Sequence, residues 1–529
     1  MNWKQSKNKP LQERLKDIEP SKGYFAIPPM NELVAELKKA TYAGTPIGIV
    51  GDYDVDGICG STILTKLLHT VGANLIITRL PKRFSEGYGL SEKIVDELYN
   101  LDVQILLTVD NGITAVEAIA RAKDYGMTVW VLDHHLRRDD GLLPAADILI
   151  DPNAVEGQAD WNGYCGAGLA YKLSTLILNR KHPLLDELTA LAALATVADC
   201  VPLLEDNRNI VKKGLLALEN ELSIGLNCLL SEAGIEGSIS TKNVAFKLAP
   251  MLNAPGRMLD DGAQTVSLAL LLSDDFREAY TLAGRIKELN ELRKEATEKE
   301  VAEILKHETA THGRAMCVVA HNVHEGLVGI YAAKLTEACG APAIVFTDTD
   351  DPNVLHGSAR SVEGVNVKEI LDTLSGLLLK YGGHAAAAGL SLTKDNFDEF
   401  QRKFIEACGD VNVEHDVLYY DETITVNDVE TALADIATLA PFGEGNPEPV
   451  FLLKDYDTAD KHFMMQNGRS IKLYSNSTPV VALGFGQADK IIGLGMPNPV
   501  NILGTLAWNI FRGTATPQIE ILDICRVED

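Results

Sequence analysis

An alternation of short apolar runs and amphipathic segments between about residues 45 and 135 constrains the fold most. The β-branched runs PIGIVG (46–51), ANLIITRL (73–80) and VQILLTVD (103–110) are each followed by a helical pattern, and MTVWVLDHH (127–135) comes next. This alternation is typical of βαβ units and predicts a parallel sheet. Functional residues of such sheets lie just past the carboxyl ends of the strands. Asp52, Asp110 and Asp133 are predicted at that edge.

The stretch GDYDVDG (51–57) has two possible interpretations. It matches the start of a calcium loop, D-x-[DN]-x-[DN]-G, but such a loop needs a bidentate glutamate at its twelfth position, where this chain has Ile63. A β-type run also precedes it where a helix should stand. Residues i and i+2 at the end of a strand point the same way, so we expect Asp54 and Asp56 to face one metal-sized volume, with Gly57 allowing a tight turn into a helix.

More candidate ligands follow later strands and helices. TVDNG contributes Asp110, VLDHH contributes Asp133, His134 and His135, and ATVADCVPL contributes Asp199. An aspartate at a strand end is often only the N-cap of the next helix. Together, however, carboxylates and imidazoles without thiolate favour Mn²⁺ or Mg²⁺ over structural zinc. Two such cations would indicate phosphoester hydrolysis.

The rest of the chain divides into regions with different patterns of apolar and charged residues. Residues 163–305 are mostly helical and end in a charged segment that is typical of a solvated connecting helix, and a second α/β lobe begins near AMCVVA (315–320). After about residue 412, short strands predict a small closed barrel or sandwich. The predicted domains are an N-terminal segment (1–44), a catalytic domain with a helical part (45–273), a long connecting helix (274–310), a second lobe (311–410) and a β domain (411–529).

Composition restricts the partners and the compartment. The formal net charge of −26 excludes a protein held on nucleic acid by overall positive charge, so such a substrate would need a local basic groove or bound cations. Eight cysteines without a C-x-x-C pair indicate free thiols in a reducing compartment. The polar N-terminus and the absence of a long apolar run predict a soluble, cytoplasmic protein that does not enter membranes.

These motifs, in this order, resemble a known family. GDYDVDG, TVDNG, DHH and VADCVPL resemble motifs one to four of the DHH phosphoesterase superfamily, and GGHAAAAGLS (382–391) resembles the GGH motif of its DHHA1 domain. The resemblance implies an α/β fold with two lobes, DHH and DHHA1, with parallel-type sheets joined by a long helix, plus a C-terminal β-barrel of the OB-fold type. Within the superfamily the chain is most similar to single-strand-specific 5′ to 3′ DNA exonucleases, through PKRFSEGYGL (81–90), LNAPGRM (252–258), GSARS (357–361) and LAPFGEGNPEPVF (439–451).

The resemblance also assigns roles to residues. It implies two Mn²⁺ or Mg²⁺ ions per active site, with Asp52, Asp133 and His135 supporting the ligands or lying near the scissile phosphate. Some members have a ligating histidine where this chain has Val50, which leaves the occupancy of both metal sites open. The implied metal ligands are Asp54, Asp56, Asp110, His134 and Asp199; the implied 5′-phosphate pocket is Arg83, Ser358 and Arg360, and Arg257 and His384 would lie near the scissile phosphate.

The function implied is degradation of single-stranded DNA from its 5′ end to 5′-mononucleotides, in DNA repair and recombination. The implied enzyme is a monomer that works with a single-strand-binding protein and a helicase. Aromatic side chains of the β domain would stack on bases, although aromatic residues of small barrels are often core. One alternative is a DHH phosphodiesterase for short oligonucleotides or cyclic dinucleotides, and another is a non-catalytic relative. The stacking candidates are Tyr474, Phe485, Trp508 and Phe511.

Overall fold

The first lobe of the computed structural model is built on a parallel sheet, as the alternation predicted. Its strand order is β3-β2-β4-β5-β6, and all four pairings are parallel. The strands are β2 (Ile47–Val50), β3 (Ile76–Arg79), β4 (Ile105–Val109), β5 (Thr128–Leu132) and β6 (Ile148–Ile150). The structure describes residues 2–17, 25–220, 222–235, 237–307, 313–321, 323–409, 417–458, 462–464, 468–495, 498–511 and 514–527.

Helices cover both faces of this sheet, which explains why its inner strands β2, β4 and β5 are mostly apolar and buried. Alternate strand residues enter two different cores: Ile49 and Leu107 pack towards α2, α3 and α6, whereas Val50 and Leu106 pack towards α4 and α5. These helices are α2 (Pro29–Ala43), α3 (Val55–Thr70), α4 (Glu92–Asn100), α5 (Val116–Asp124) and α6 (Gly166–Ile177).

A helical part follows, as the sequence predicted, and leads into the connecting helix. Turns of π type, Val244–Leu248 and Ala263–Leu268, directly precede α11 and α12. The connecting helix, α13, runs for 32 residues. The helices of this part are α7 (Leu184–Ala198), α8 (Glu205–Leu218), α9 (Ile224–Glu232), α10 (Thr241–Asn243), α11 (Ala249–Met258), α12 (Ala269–Leu272) and α13 (Phe276–His307).

The second lobe contains a mixed sheet with the order β10-β11-β9-β8-β7. Only β7 and β8, which are connected through α14, are parallel; the other three described pairings are antiparallel. The expected parallel type is therefore confined to that pair of neighbours, because short connections join β8 to β9 and β10 to β11 and reverse the chain direction there. The elements are β7 (Met316–Val319), α14 (Val328–Cys339), β8 (Ala343–Asp348), β9 (Val354–Arg360), α15 (Val367–Thr373), β10 (Lys380–Gly383), β11 (Ala387–Thr393) and α16 (Phe397–Cys408).

The C-terminal domain contains a seven-stranded sheet within the described residues, with the order β13-β14-β18-β19-β17-β16-β15. Its longest strands, β18 and β19, form an antiparallel pair. The elements are β12 (Val417–Tyr420), β13 (Glu422–Ile424), α17 (Val429–Leu439), β14 (Phe451–Tyr456), β15 (His462–Met464), β16 (Ile471–Leu473), β17 (Val481–Gly484), α18 (Ala488–Gly493), β18 (Val500–Phe511) and β19 (Thr514–Arg526).

The described part of the N-terminal segment contributes to two domains. Its first strand, β1 (Asn2–Gln5), pairs in parallel with β12, and Leu11 of α1 (Leu11–Asp17) lies in the C-terminal core. Its last helix, α2, belongs to the core of the first lobe. No helix among the described residues is long and apolar enough to cross a membrane.

The motif PFGEGNPEP joins the C-terminal domain to the first lobe. The backbone N–H of Leu203 donates to the Glu444 carbonyl at 2.8 Å, and Arg208 donates to the carbonyls of Thr438 and Ala440. Leu203 follows the predicted metal ligand Asp199 by four residues. The loop therefore docks beside the predicted catalytic centre.

Candidate metal centre

The aspartates of GDYDVDG lie at the start of a helix and not on a strand. Strand β2 ends at Val50, and Asp54 is the N-cap of α3, accepting hydrogen bonds from the backbone N–H groups of Asp56 and Gly57. The expectation that strand alternation aligns Asp54 with Asp56 was therefore wrong. A Cβ at Gly57 would overlap the backbone of Asp52, so a glycine is required for this close approach.

A second helix start holds Asp56. The backbone N–H groups of Gly166 and Ala167, at the beginning of α6, donate to its two carboxylate oxygens at 2.6 and 2.8 Å. A Cβ at Gly166 would lie 2.6 Å from Cβ of Asp110, so the helix can approach only because this residue is glycine. The start of α6 thereby fixes the orientation of the Asp56 carboxylate.

The side chain of His134 lies among three of the predicted ligands. Its Nε2 atom is 3.1 Å from Oδ1 of Asp110, 3.5 Å from Oδ2 of Asp56 and 3.6 Å from Oδ2 of Asp199. The donor atoms form overlapping groups, each within 4.8 Å: Asp56 with His134 and Asp199; Asp52 with Asp54 and Asp110; and Asp110 with His134 and His135.

Burial and like charge oppose ionisation of this cluster in the absence of a cation. Burial, followed by repulsion from Asp56, raises the pKa of Asp199 to about 8 and that of Asp110 well above its usual range. Burial and the charge of Asp54 likewise raise the pKa of Asp52. A bound cation would offset the repulsion, which makes the donor set, carboxylate oxygens and one imidazole nitrogen, suitable for Mn²⁺ or Mg²⁺.

His135 forms a charged pair with Asp133 beside this cluster. Nδ1 of His135 lies 2.8 Å from Oδ1 of Asp133, and although burial opposes the charge, this hydrogen bond raises the pKa of His135 to about 9. Asp133 is fixed by the backbone N–H groups of Ile113 and His134. The hydroxyl of Tyr88 contacts the His135 ring and donates to the Asp110 carbonyl at 3.0 Å.

Two predicted phosphate-binding arginines lie next to the metal cluster. The guanidinium of Arg83 lies 4.5 Å from the ring centre of Tyr53, and its charge acts on Asp52. Arg257, on α11, is partly buried; burial and then the charge of Arg83 lower its pKa to about 10. The attraction of Asp54 opposes that decrease, so the charges of both the carboxylates and the other arginines act on Arg257.

The second lobe contributes the other half of this basic pocket. Arg360 donates to Oγ of Ser358 at 2.9 Å, and both residues lie on β9 against the first turn of α14. Burial and then the charge of Arg83 lower the pKa of Arg360. His384 is exposed in the connection between β10 and β11, where Ala387 pairs with Arg360.

The structure identifies residues that the sequence did not. Tyr88 and Asn111 both lie inside motifs used for the prediction, but their contacts depend on the tertiary fold. Asn111 links the ends of β2 and β4 by donating to the carbonyls of Val50 and Val109. Arg293 of α13 adds positive charge near Arg257. The Val50 side chain is buried away from the cluster, between the sheet and α4.

Family models match most of the chain. Residues 46–196 match the DHH family, N-terminal domain; residues 312–410 match the DHHA1 domain; and residues 420–523 match the RecJ OB domain. These matches confirm the superfamily and the fold class that the motifs predicted.

Similar proteins cover nearly the whole chain. The single-stranded-DNA-specific exonuclease RecJ of Escherichia coli is 33% identical over 470 residues, which are 84% of this chain and 79% of that protein. The RecJ of Bacillus subtilis is 30% identical over 94% of this chain, and this chain spans only 64% of that relative's length. The crystal structure of RecJ from Thermus thermophilus in complex with Mn²⁺ has a TM-score of 0.81 and 27% identity, covering 97% of this chain and 74% of that one. A complex of the same protein with Mg²⁺ has a TM-score of 0.75.

Proposed function

The chain belongs to the RecJ family of single-stranded-DNA-specific exonucleases, and from this premise we propose that it degrades single-stranded DNA from the 5′ end. The products would be 5′-mononucleotides. The observation that carries the proposal is a basic pocket beside the carboxylate and imidazole cluster: the Arg83 guanidinium lies over the ring of Tyr53, between Asp52 and Asp54 in the chain, and the Arg257 carbonyl packs against Gly326 of the lobe that contains Arg360. A strand end held in the pocket would place a phosphodiester at the cluster.

Two groups of ligands would hold the divalent cations. Asp54 and Asp110, with Asp52 supporting them, form one, and Asp56, His134 and Asp199 form the other. Mn²⁺ or Mg²⁺ bound there would supply Lewis-acid stabilisation of the charge at phosphorus and would activate the attacking water.

The protein's own groups have distinct tasks beside the cations. The His135–Asp133 pair presents a protonated imidazole, which can donate a hydrogen bond to a phosphate oxygen. The hydroxyl of Tyr88 restrains that ring. The backbone N–H groups of α6 keep Asp56 oriented, so that it needs no reorganisation during the reaction.

The pocket is suited to a 5′-phosphate. Arg83, Arg360 and Ser358 would hold the terminal phosphate, while Arg257 and His384 would lie near the scissile one. Because the positive charge is confined to this pocket and the chain as a whole is acidic, the affinity for DNA should decrease as the salt concentration increases. The exposed rings of Tyr474, Phe485 and Trp508 on the C-terminal domain would stack on bases farther along the strand.

The test uses single strands labelled at one end, with and without a free 5′ end, digested in Mn²⁺ and in EDTA. Release of mononucleotides only from the free 5′ end, and only with the cation, is expected. Asp110→Ala should abolish turnover without loss of the folded state, whereas Asp398→Ala, which removes an exposed carboxylate of the second lobe, should not. Substantial turnover by Asp110→Ala would contradict the two-cation centre, and a dinucleotide cleaved faster than a long strand would favour a short-oligonucleotide hydrolase.

The cellular setting is part of the same proposal. Family membership supports a cytoplasmic enzyme of DNA repair and recombination that receives strands from a helicase and a single-strand-binding protein. A monomer suffices for this chemistry, because one chain contains every residue of the proposed site.

A further inference from the structure

The basic pocket is assembled from two lobes. Arg83 and Arg257 belong to the first lobe, whereas Ser358 and Arg360 lie on β9 of the second. A phosphate accepts hydrogen bonds only over a few tenths of an ångström around 2.8 Å, so a small shift between the lobes would separate one pair of donors from the anion. Whatever fixes the spacing of the lobes therefore fixes the ligand that the pocket accepts.

A small set of contacts joins the lobes next to this pocket; we call Phe84, Met258, His324 and Gly326 the interlobe seam. The rings of Phe84 and His324 meet edge to face with centroids 4.8 Å apart. A Cβ at Gly326 would overlap the carbonyl oxygen of Arg257 and lie 3.0 Å from Cζ of Phe84. Met258 packs against the core of the second lobe.

On the first-lobe side, the seam is tied to both arginines. The backbone N–H of Arg83 donates to the Asp260 carbonyl at 3.0 Å, and the N–H of Phe84 donates to the Asp260 carboxylate at 2.8 Å. Ser85 adds a hydroxyl donor to the same carboxylate at 2.6 Å. The loop with Arg83 is thus fixed to the end of the helix with Arg257, and Phe84 extends from this unit to the other lobe.

On the second-lobe side, the seam leads directly to the other half of the pocket. Nδ1 of His324 accepts a hydrogen bond from the N–H of Gly326 at 3.2 Å and caps the turn before α14. Three residues later, a Cβ at Gly329 would lie 2.9 Å from Nη2 of Arg360 and 3.2 Å from Oγ of Ser358. One continuous set of contacts therefore connects Arg83 with Arg360.

We propose that Phe84, His324 and Gly326 are positioning residues that hold the two halves of the pocket at the spacing of one phosphate. They would thereby determine the selectivity for a strand that ends in a 5′-phosphomonoester over one that ends in a 5′-hydroxyl. This inference rests on the proposed function, because it assigns the pocket to the 5′ end of the strand.

Gly326→Ala is the sharpest test, because it removes no functional group and only forces the lobes apart. The matched control is Gly376→Ala in the same lobe, whose Cβ would meet nothing within 4 Å. Both full-length variants are assayed in Mn²⁺ on a 5′-phosphorylated and a 5′-hydroxyl strand of one sequence. For Gly326→Ala, the preference for the phosphorylated strand, taken as the ratio of the two kcat/KM values, should fall about tenfold, the loss of one charge-assisted hydrogen bond. Gly376→Ala should retain the wild-type ratio.

Two further variants keep the test decisive if Gly326→Ala does not fold. His324→Asn retains a side chain that can cap the turn but removes the ring, and Phe84→Leu retains apolar bulk without the edge contact. Both should lower the preference for the 5′-phosphate while the melting temperature stays close to that of the wild type. Folded variants that all keep the wild-type preference would overturn the role of the seam. A wild-type enzyme that does not distinguish the two ends would overturn the 5′-phosphate pocket itself, and the inference with it.

Discussion

At the scale of single residues, the candidate centre depends on side chains that restrain the ligands. Tyr88 illustrates this, since its hydroxyl contacts the ring of His135 and the carbonyl of Asp110. Neither contact requires the tyrosine to touch a cation. Its contribution should therefore appear in turnover and not in the affinity for the cation.

Tyr88→Phe removes only this hydroxyl. We expect kcat to fall about fivefold, the equivalent of about 1 kcal/mol for one hydrogen bond, with a nearly unchanged Mn²⁺ concentration for half-maximal activity. Steady-state kinetics over a Mn²⁺ titration measure both quantities. Tyr99→Phe, in an exposed ring stacked on Tyr125, is the control. Equal kcat values for the two variants would show that Tyr88 has no part in positioning His135.

Asp151, at the end of β6, gives a prediction for the pH dependence of stability. Its Oδ1 accepts from the N–H groups of Asn153 and Ala154, but its buried Oδ2 has no hydrogen-bond partner among the described residues. Burial and the charge of Asp133 raise its pKa to about 7. Because the folded-state pKa lies above the unfolded one, its stabilising contribution is complete below about pH 4 and is lost as the pH rises through 7.

Asp151→Asn removes this titration and keeps the acceptor for both N–H groups. The free energy of unfolding of the wild type should therefore decrease more between pH 5 and pH 8 than that of the variant. Urea denaturation in EDTA, which excludes cation binding, measures the difference. Identical pH profiles would mean that Asp151 does not take up a proton on folding.

At the scale of elements, the start of α6 determines the shape of the centre. The carboxylate of Asp56 accepts hydrogen bonds from two N–H groups of α6, and Gly166 allows this helix to touch Asp110. Because Gly166 touches Asp110 and also donates its N–H to Asp56, a methyl group added at Gly166 would displace both of these predicted ligands.

Gly166→Ala should destabilise the protein by about 1–3 kcal/mol through overpacking and should weaken Mn²⁺ binding and activity together. Gly168→Ala is a matched control in the same helix, because its Cβ would lie 3.6 Å from the nearest atom, an ordinary contact. Thermal unfolding and isothermal titration with Mn²⁺ compare the two. If Gly166→Ala bound Mn²⁺ like Gly168→Ala, α6 would not be needed to orient Asp56.

At the scale of the whole molecule, an acidic chain has to bind DNA through separate local sites. The basic pocket lies between the lobes, while exposed aromatic side chains lie on the C-terminal domain, which is docked by PFGEGNPEP. Tyr474, Phe485 and Trp508 are 36%, 51% and 45% exposed, so they are not the core residues that small barrels usually contain. The side chain of Phe511 lies outside the described part of the structure.

Trp508→Ala should therefore weaken the binding of long strands about tenfold, as the loss of one stacked base would, and leave short strands unaffected. KM values for strands of about 6 and about 40 nucleotides measure this; the shorter length is within the site size of one OB fold. Tyr42→Ala, in a ring that is 97% exposed on the first lobe, is the control. An equal rise of KM for both lengths would assign Trp508 to the active site instead of a distal contact.

The sequence by itself determined the parallel sheet of the first lobe, the family and the chemistry of the centre. This was possible because strand periodicity and residue type are local, and because the carboxyl ends of parallel strands must meet at one edge. The assignment of individual residues to metal and phosphate sites stays a prediction, although the structure brings Asp54, Asp56, Asp110, His134 and Asp199 into one cluster.

Only the tertiary structure decided which groups share a site. Asp54 joins Asp52 and Asp110, whereas Asp56, two residues later, joins His134 and Asp199, because the chain enters α3 between them. The pairing of β1 with β12, the mixed sheet of the second lobe and the interlobe seam likewise join segments far apart in the chain. Such contacts depend on how whole elements pack, and no local pattern of residue types encodes that packing.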